Sequence, residues 1–245
     1  MKQTNTNSKG LSSRLGFVMA AAGSAVGLGN IWRFPYLAAK YGGGIFLLVY
    51  LILAVTFGFS LMITEIAIGR KTGTSAILAY QKLNKRFSFL GYVASAVPIL
   101  IFPYYCVIGG WIVKYMTVYL TGQAHAAATD TYFSNFIGST AEPIIFLSIF
   151  LFCTALVVLI GLQKGVEKVS KLLMPILILL SIAMAIYTLT LDGAMDGFIY
   201  YIKPNFSDFS MKTVVAAMGQ LFYSMSLAMG IMITYGSYMS KQDNL

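Results

Sequence analysis

Charged residues are scarce in this chain of 245 amino acids: Asp, Glu, Lys and Arg make up 10%, whereas hydrophobic residues make up 58%. Soluble domains usually carry about 25% charged residues, so a water-facing globular domain is excluded. The net charge of +9 does not indicate a nucleic-acid partner, because most of the chain has no polar face on which a basic patch could form. The composition therefore predicts a protein whose solvent is the lipid bilayer.

Cysteine and histidine are nearly absent, which excludes the chemistry that depends on them. Cys106 and Cys153 both lie within apolar runs, so we expect two small buried side chains rather than a disulfide or metal framework. His125 lies alone in a polar stretch. The sequence also shows no nucleophile–base pair and no phosphate-binding loop, so we predict that the chain is not an enzyme.

Long hydrophobic runs, by contrast, are abundant. A helix needs about 20 residues to cross a hydrocarbon core of about 30 Å. Six stretches are long enough, and none alternates polar and apolar residues as the strands of a barrel do. We predict a single transmembrane domain over residues 1–245, with helical spans at about 15–38, 44–69, 89–120, 143–162, 170–191 and 213–239.

The basic residues are divided unevenly between the two ends of these spans. Twelve of the 17 Lys and Arg residues fall before span 1, between spans 2 and 3, between spans 4 and 5, and after span 6. Basic residues collect on the cytoplasmic side of membrane proteins. We therefore predict a multi-pass protein of the plasma or inner membrane, with both termini in the cytoplasm and an extracellular loop at 121–142.

Spans 1 and 6 are unusual because polar and small residues lie near their centres. Span 1 carries three glycines within positions 23–29, and span 6 is polar and small from Gly219 to Gly230. Each glycine costs about 1 kcal/mol relative to alanine in a helix. Taken alone, the glycines of span 1 fit close helix packing equally well. Interrupted spans at corresponding places in two halves, however, indicate an inverted-repeat transporter with its site at mid-membrane.

Three further residues are candidates for functional roles inside the membrane. Glu65 is the only acidic residue deep in a span, where it could neutralise a cation, brace an opened helix or carry a proton. The alternative is a structural carboxylate bonded to a neighbouring helix. Tyr104 and Tyr105 fall near the middle of span 3, so we expect at least one hydroxyl to face a polar cavity.

Several stretches resemble the neurotransmitter:sodium symporter family, in particular its bacterial branch. The resemblance begins at 13–17, runs from Gly23 to Tyr36 and continues at Gly42-Gly43-Gly44-Ile45-Phe46. It returns at 98–111, at 165–168 with 174–175, and at 219–241. It implies an all-α integral membrane protein with the LeuT fold. The chain would hold the first repeat of five helices and the first helix of an inverted second repeat, with segments 1 and 6 unwound mid-membrane.

The resemblance also implies a function: sodium-coupled amino-acid symport by alternating access. Glycine stands at position 27, where relatives that carry monoamines have aspartate, which implies an amino-acid substrate; Ala228 replaces a glycine usual in bacterial members. The implied ligands of one or two Na⁺ ions are Gly23, Ala25, Val26, Asn30 and Ser224. The implied substrate-binding residues are Val26, Gly27, Leu28, Gly29, Ile101, Tyr105, Tyr223, Ser224, Ser226 and Met229. Support and gate roles fall to Glu65, Arg33 and Gln220, and Tyr50, Gln220 and Ser224 match a chloride site of chloride-dependent relatives.

Against the family pattern, the chain resembles an N-terminal fragment that ends after the sixth span. The rest of the second sodium site and the partner of Arg33 would then lie beyond Leu245, so we expect no amino-acid accumulation by the 245 residues alone. Two alternatives stay open. One is a channel or sensor on the same fold, and the other is a non-transporting membrane fragment that associates with a second polypeptide carrying the missing spans.

Overall fold

A computed structural model describes residues 14–27 and 29–239, and the described chain is built mainly of helices. The chain forms two compact units, one within residues 1–95 and 167–245 and the other of residues 96–166. The α-helices are α1 (Arg14–Ala25), α2 (Phe34–Lys40), α3 (Gly44–Leu53), α4 (Phe59–Thr72), α5 (Ala76–Leu83), α6 (Ser88–Leu120), α7 (Ala124–Ala127), α8 (Tyr132–Gly138), α9 (Ala141–Ile160), α10 (Lys168–Leu189), α11 (Ala194–Ile202), α12 (Met211–Ser224) and α13 (Ile231–Ser237).

Wider π-helical turns interrupt the regular helices at three places, Gly29–Arg33, Ala54–Gly58 and Leu162–Glu167. Four helical stretches in the described residues are long and apolar enough to cross a membrane. They are Gly44–Thr72, Lys85–Leu120, Ala141–Ile160 and Lys164–Leu189, which correspond to spans 2 to 5. The second and fourth include the short turns that precede α6 and α10.

Span 1 is broken near its middle. Helix α1 ends at Ala25, and its last turn closes when the Val26 amide donates to the Ala22 carbonyl at 2.7 Å. The next turn begins anew, with the Asn30 amide donating to the Gly27 carbonyl at 3.0 Å. The π-helical turn Gly29–Arg33 and α2 then complete the span. The predicted unwinding of segment 1 is therefore confirmed.

Span 6 is broken at the corresponding place, between Ser224 at the end of α12 and Ile231 at the start of α13. Ser226, Ala228 and Gly230 have φ angles of 53°, 58° and 70°. Left-handed backbone is unfavourable for residues with a Cβ atom, and no helix can pass through it. The predicted unwinding of segment 6 is confirmed, and the break extends over six residues, 225–230.

Polar residues in span 2 do not break the helix. The hydroxyl groups of Thr56, Ser60 and Thr64 donate to carbonyl groups one turn earlier, at 2.6, 2.7 and 2.8 Å. Such bonds satisfy a hydroxyl group within its own helix. The Glu65 side chain, by contrast, is turned into the protein, where it is 3% exposed.

In the first unit, α4 packs directly on α13. A Cβ atom on Gly69 would overlap the Ile233 carbonyl group, and one on Gly236 would overlap the Ile66 carbonyl group. The two backbones therefore touch at glycine positions, as in close helix pairs of membrane proteins. This contact places Glu65 beside the break in span 6.

We expect Gly69→Ala to lower the thermal unfolding temperature, because the new methyl group would force α4 and α13 apart. Overpacking of this kind costs about 1–3 kcal/mol. The matched control is Gly219→Ala on α12, where a Cβ atom would meet nothing within 4 Å. The measurement is unfolding of the detergent-purified variants. Equal unfolding temperatures for the two variants would contradict the contact.

The second unit contains the rest of α6 together with α7, α8 and α9. Lys114 forms an ion pair with Glu142 at 2.9 Å, and its Nζ lies 5.1 Å from the ring centre of Phe146. The expectation of two buried cysteines is half wrong, since Cys106 is buried but Cys153 is exposed. Helix α9, which carries Cys153, has no buried residue, as expected for a surface that faces lipid.

Candidate functional site

The two breaks are joined by the side chain of Gln220. It is fully buried, and its Nε2 donates to the Gly29 carbonyl at 2.8 Å while its Oε1 accepts from Arg33 Nη1 at 3.2 Å. This orientation of the amide is the one that both partners require, because a guanidinium group only donates and a carbonyl group only accepts. A single residue of α12 thus ties together the two ends of the π-helical turn in span 1.

The ring of Tyr223 closes the same junction. It lies against Gly29 so closely that a Cβ atom at position 29 would overlap the ring, and the Arg33 guanidinium carbon lies 5.1 Å from the ring centre. Arg33 is therefore held by two residues of span 6. These two contacts lie within the chain, and the partner expected beyond Leu245 stays a prediction.

The break in span 1 presents oxygen atoms that accept no backbone hydrogen bond from the described residues. Asn30 Oδ1 is buried without a partner, and no backbone hydrogen bond among the described residues ends on the carbonyl groups of Ala25 or Val26. The same holds for the Gly23 and Ser224 carbonyl groups in the described part of the chain. Buried acceptors without a donor are costly, and carbonyl and amide oxygens are the ligands that hard cations prefer. The residues predicted to hold sodium therefore fit such an ion.

Ser224 connects this site to span 2. Its hydroxyl group donates to the Gln220 carbonyl at 2.8 Å and lies 2.7 Å from the Tyr50 hydroxyl group. With the proton of Ser224 directed to Gln220, Tyr50 donates to the Ser224 oxygen. The three residues predicted from the chloride-dependent relatives thus lie together, and their hydrogen bonds join them to one another and to Gly29 and Arg33.

Glu65 stabilises the break in span 6. Its Oε1 accepts a hydrogen bond from the Ala228 amide at 2.7 Å, and its Oε2 is buried without a partner in the part of the chain that the structure describes. The resemblance implied a support role for Glu65, which in the family goes to the opened part of segment 1, whereas this hydrogen bond goes to segment 6. No sequence pattern indicated the pairing, because Glu65 and Ala228 are separated by 163 positions.

We expect Ala228→Gly to raise the thermal unfolding temperature. Alanine at φ 58° occupies left-handed backbone that glycine adopts without strain, and such strain costs about 1–2 kcal/mol. The hydrogen bond from the residue 228 amide to Glu65 is unaffected by the loss of a methyl group. The measurement is thermal unfolding, with Ala216→Gly in the regular helix α12 as the control that loses stability. A lower unfolding temperature for Ala228→Gly would contradict the strained conformation.

The remaining predicted residues are distributed over both units. Gly27 borders open space, since a Cβ atom there would meet nothing within 4 Å, and Ser226 and Met229 lie in the break of span 6. Ile101 and Tyr105 lie on α6 within the second unit, where the rings of Tyr104 and Tyr105 are 6.1 Å apart. Leu28 lies outside the described residues.

Comparison with known proteins identifies the family to which the chain is similar. The model of the sodium:neurotransmitter symporter family matches residues 9–137 and 133–245. The crystal structure of MhsT in complex with L-phenylalanine is similar, with a TM-score of 0.89 and 41% sequence identity. The match covers 96% of this chain and 55% of the MhsT chain.

Curated relatives agree with the structural match. The uncharacterized sodium-dependent transporter YhdH of Bacillus subtilis is 39% identical over 239 residues, covering 96% of this chain and 53% of YhdH. The sodium-dependent neutral amino acid transporter B(0)AT1 of mouse is 28% identical over 258 residues, covering 93% of this chain and 41% of that protein. The chain spans about half the length of the curated relatives it matches.

These matches extend over almost the whole chain and lead to the same fold that the resemblance implied. The LeuT fold is confirmed, and the family consists of sodium-dependent membrane transporters rather than enzymes. The chain belongs to the sodium:neurotransmitter symporter family.

Proposed function

We propose that the chain carries the ion- and substrate-binding elements of a sodium-coupled amino-acid symporter. The observation that carries this proposal is the buried Oδ1 of Asn30, which has no donor among the described residues and lies at the junction of two broken membrane helices. An acceptor left unpaired there is costly unless a cation binds it. Membership of a family of sodium-dependent transporters supports sodium as that cation.

The proposed sodium ligands come from both breaks. One ion would contact the Ala25 carbonyl, Asn30 Oδ1, and the Ser224 hydroxyl and carbonyl groups, with the substrate carboxylate completing the shell. A second ion would use the Gly23 and Val26 carbonyl groups. The support is that these carbonyl groups accept no backbone hydrogen bond in the described residues.

The proposed substrate is a neutral amino acid. Its carboxylate would bind the amide groups of residues 26–29, and its side chain would lie near Ile101, Tyr223, Ser226 and Met229, with Tyr105 contributing a hydroxyl group. The open space at Gly27 supports room for a carboxylate. MhsT binds L-phenylalanine, and B(0)AT1 is a neutral amino acid transporter, which supports the substrate class.

The proposed mechanism is alternating access. Because the ion and the substrate carboxylate share a ligand shell, each increases the affinity of the other by the same factor. Segments 1 and 6 are joined by Gln220 and Tyr223, so they would move as one body. Rocking of that body against segments 3 and 4 would switch the site from one side of the membrane to the other.

Four expectations stay predictions. Both termini are proposed to be cytoplasmic on the distribution of basic residues. Chloride is proposed to bind beside Tyr50, Gln220 and Ser224 only if their mutual hydrogen bonds open. The inactivity of residues 1–245 alone and a second polypeptide are likewise untested, and no relative reported above is described as having such a partner.

The experiment compares amino-acid binding in sodium and in potassium. Radiolabelled L-phenylalanine and a panel of other neutral amino acids are tested on the complete native gene product in nanodiscs. Replacing potassium with sodium should raise the affinity about 5–150-fold, the usual range of coupling between two ligands. The amino acid should raise the sodium affinity by the same factor. Equal affinities in the two salts would overturn the shared ligand shell.

A further inference from the structure

A polar cavity lies in the first unit, away from the breaks in spans 1 and 6. Its volume is about 360 Å³, and its lining includes Lys40, Gly42, Tyr200, Asp208, Ser210 and Thr213. Small-molecule sites have volumes of about 300–1,000 Å³, so the cavity can accommodate a small organic molecule. Lys40 ends α2, and Ser210 directly precedes α12, so the cavity lies at the far ends of the two broken spans.

Cross-links between distant parts of the chain fix the walls of the cavity. The Tyr200 hydroxyl group donates to the Ala39 carbonyl at 3.0 Å, and the buried Thr213 hydroxyl group donates to the Tyr41 carbonyl at 3.5 Å. Residues 43 and 204 also form an antiparallel backbone bridge. The connection after span 1 and the connection before span 6 are thus fastened at three points, and the cavity between them is preformed.

The triple glycine at 42–44 makes this approach possible. Gly42 and Gly43 have φ angles of 95° and 56°, and a Cβ atom on Gly44 would overlap the Lys203 carbonyl group. A side chain at these positions would therefore either strain the backbone or push the two connections apart. The triple glycine is not part of the proposed transport site. Its role is to let the two connections approach each other at the cavity wall.

The cavity presents two opposite charges that do not neutralise each other. Lys40 and Asp208 both line it, and in the described part of the chain neither forms an ion pair. Asp208 accepts a hydrogen bond from Asn205 Nδ2 at 3.0 Å, and Lys40 Nζ lies 5.7 Å from the ring centre of Tyr41. An ammonium group would be attracted to Asp208 and a carboxylate to Lys40.

The start of α12 also borders the cavity and adds partial positive charge to its lining. The Ser210 side chain caps this 14-residue helix by accepting from the Thr213 amide at 3.2 Å. A helix N-terminus carries partial positive charge and attracts anions. The cavity therefore has two groups that attract an anion, Lys40 and the start of α12, and one that attracts a cation, Asp208. A molecule that carries one positive and one negative charge is complementary to this lining.

We propose that this cavity is a second, outer binding site for the zwitterionic backbone of an amino acid. The inference rests on the proposed function for its substrate class. At 1.5 Å per helical residue, Lys40 and Ser210 lie about 15–20 Å along their spans from Asn30 and Ser224. The cavity is therefore distinct from the mid-membrane site, and on the proposed orientation it faces the outer solution. It would concentrate amino acid at the outer ends of the helices that carry the transport site.

The test uses ligand binding without sodium, because the cavity offers charges of its own for both ends of a zwitterion. Saturation-transfer NMR is recorded on the complete native gene product in nanodiscs in potassium buffer, with L-phenylalanine as the probe. Phenethylamine, which lacks the carboxylate, and 3-phenylpropanoate, which lacks the amine, should bind at least about tenfold more weakly, a difference of about 1.4 kcal/mol.

Variants locate this binding. Lys40→Gln and Asp208→Asn should each weaken sodium-free binding of L-phenylalanine about tenfold, a loss of about 1.4 kcal/mol. They should leave the sodium-dependent binding constant unchanged. The matched controls, Lys203→Gln and Asp196→Asn, lie on the neighbouring connection outside the cavity lining and should change neither. The double variant Lys40→Asp with Asp208→Lys should regain sodium-free binding, because a zwitterion can bind in the reverse direction.

The outcomes separate the two proposals. Absence of sodium-free, zwitterion-selective binding, or equal binding by the Lys40→Gln and Asp208→Asn variants, would overturn the outer site and leave the proposed function intact. Absence of any sodium dependence would overturn the proposed function, while sodium-free binding that depends on Lys40 and Asp208 would still establish the outer site.

Discussion

Asn30→Leu should remove the share of sodium stabilisation that comes from the ion bound at Asn30. In the wild type, an ion present at 100 times its dissociation constant adds about 2.7 kcal/mol to the free energy of unfolding. Leucine has nearly the shape of asparagine but no oxygen, so the variant should lose about that amount of sodium stabilisation and keep only what an ion on the Gly23 and Val26 carbonyl groups contributes. The measurement is the unfolding temperature as sodium replaces potassium at constant ionic strength.

The sodium-free state distinguishes an ion ligand from a structural residue. Asn30 Oδ1 is buried without a donor, so its removal relieves an unpaired acceptor and should leave the unfolding temperature in potassium unchanged or raised. The control Asn135→Leu changes an exposed asparagine of α8 and should preserve the sodium response. A variant Asn30→Leu that is unstable in potassium and still responds to sodium would contradict the assignment.

Glu65→Ala should destabilise the protein and weaken sodium-dependent amino-acid binding together. The substitution removes the acceptor of the Ala228 amide, which cannot return to a helical hydrogen bond because residue 228 lies in left-handed backbone. The hydrogen bond is partly buried, and losing its charged acceptor should cost about 1–3 kcal/mol. We expect a corresponding loss of unfolding free energy and at least about tenfold weaker amino-acid binding, since each 1.4 kcal/mol is tenfold.

Glu65→Gln is the informative companion variant. Glutamine keeps an oxygen that accepts from the Ala228 amide, so it should recover most of the stability that alanine loses. Unfolding temperatures and sodium-dependent binding constants are measured for both variants beside the wild type. Wild-type values for Glu65→Ala would show that the hydrogen bond does not stabilise the break.

The sequence predicted most of the fold because membrane helices leave strong local signals. Length and hydropathy located the spans, since every backbone polar group in lipid must be satisfied within a helix. The breaks were predictable for a related reason: glycines within 23–29 and small polar residues after Gly219 weaken helices locally. The resemblance then connected these breaks to a known family.

The sequence was less informative about the surroundings of single side chains. No pattern indicated that Gln220 and Tyr223 contact Arg33, because Gln220 lies 187 positions away. The prediction that Cys153 is buried was wrong, because an apolar run does not distinguish a lipid-facing helix from a core helix. Local composition does not contain the surroundings of a side chain in either case.

The sequence by itself therefore determined the solvent of this protein, its helices and the two places where they break. Those properties follow from hydrophobicity and backbone propensity, which act over a few neighbouring residues. Only the tertiary structure decided that Glu65 supports Ala228, that Gln220 ties the two breaks together, and that Lys40 and Asp208 share one cavity. Such pairings depend on how helices cross, and close packing rather than sequence separation sets which side chains meet.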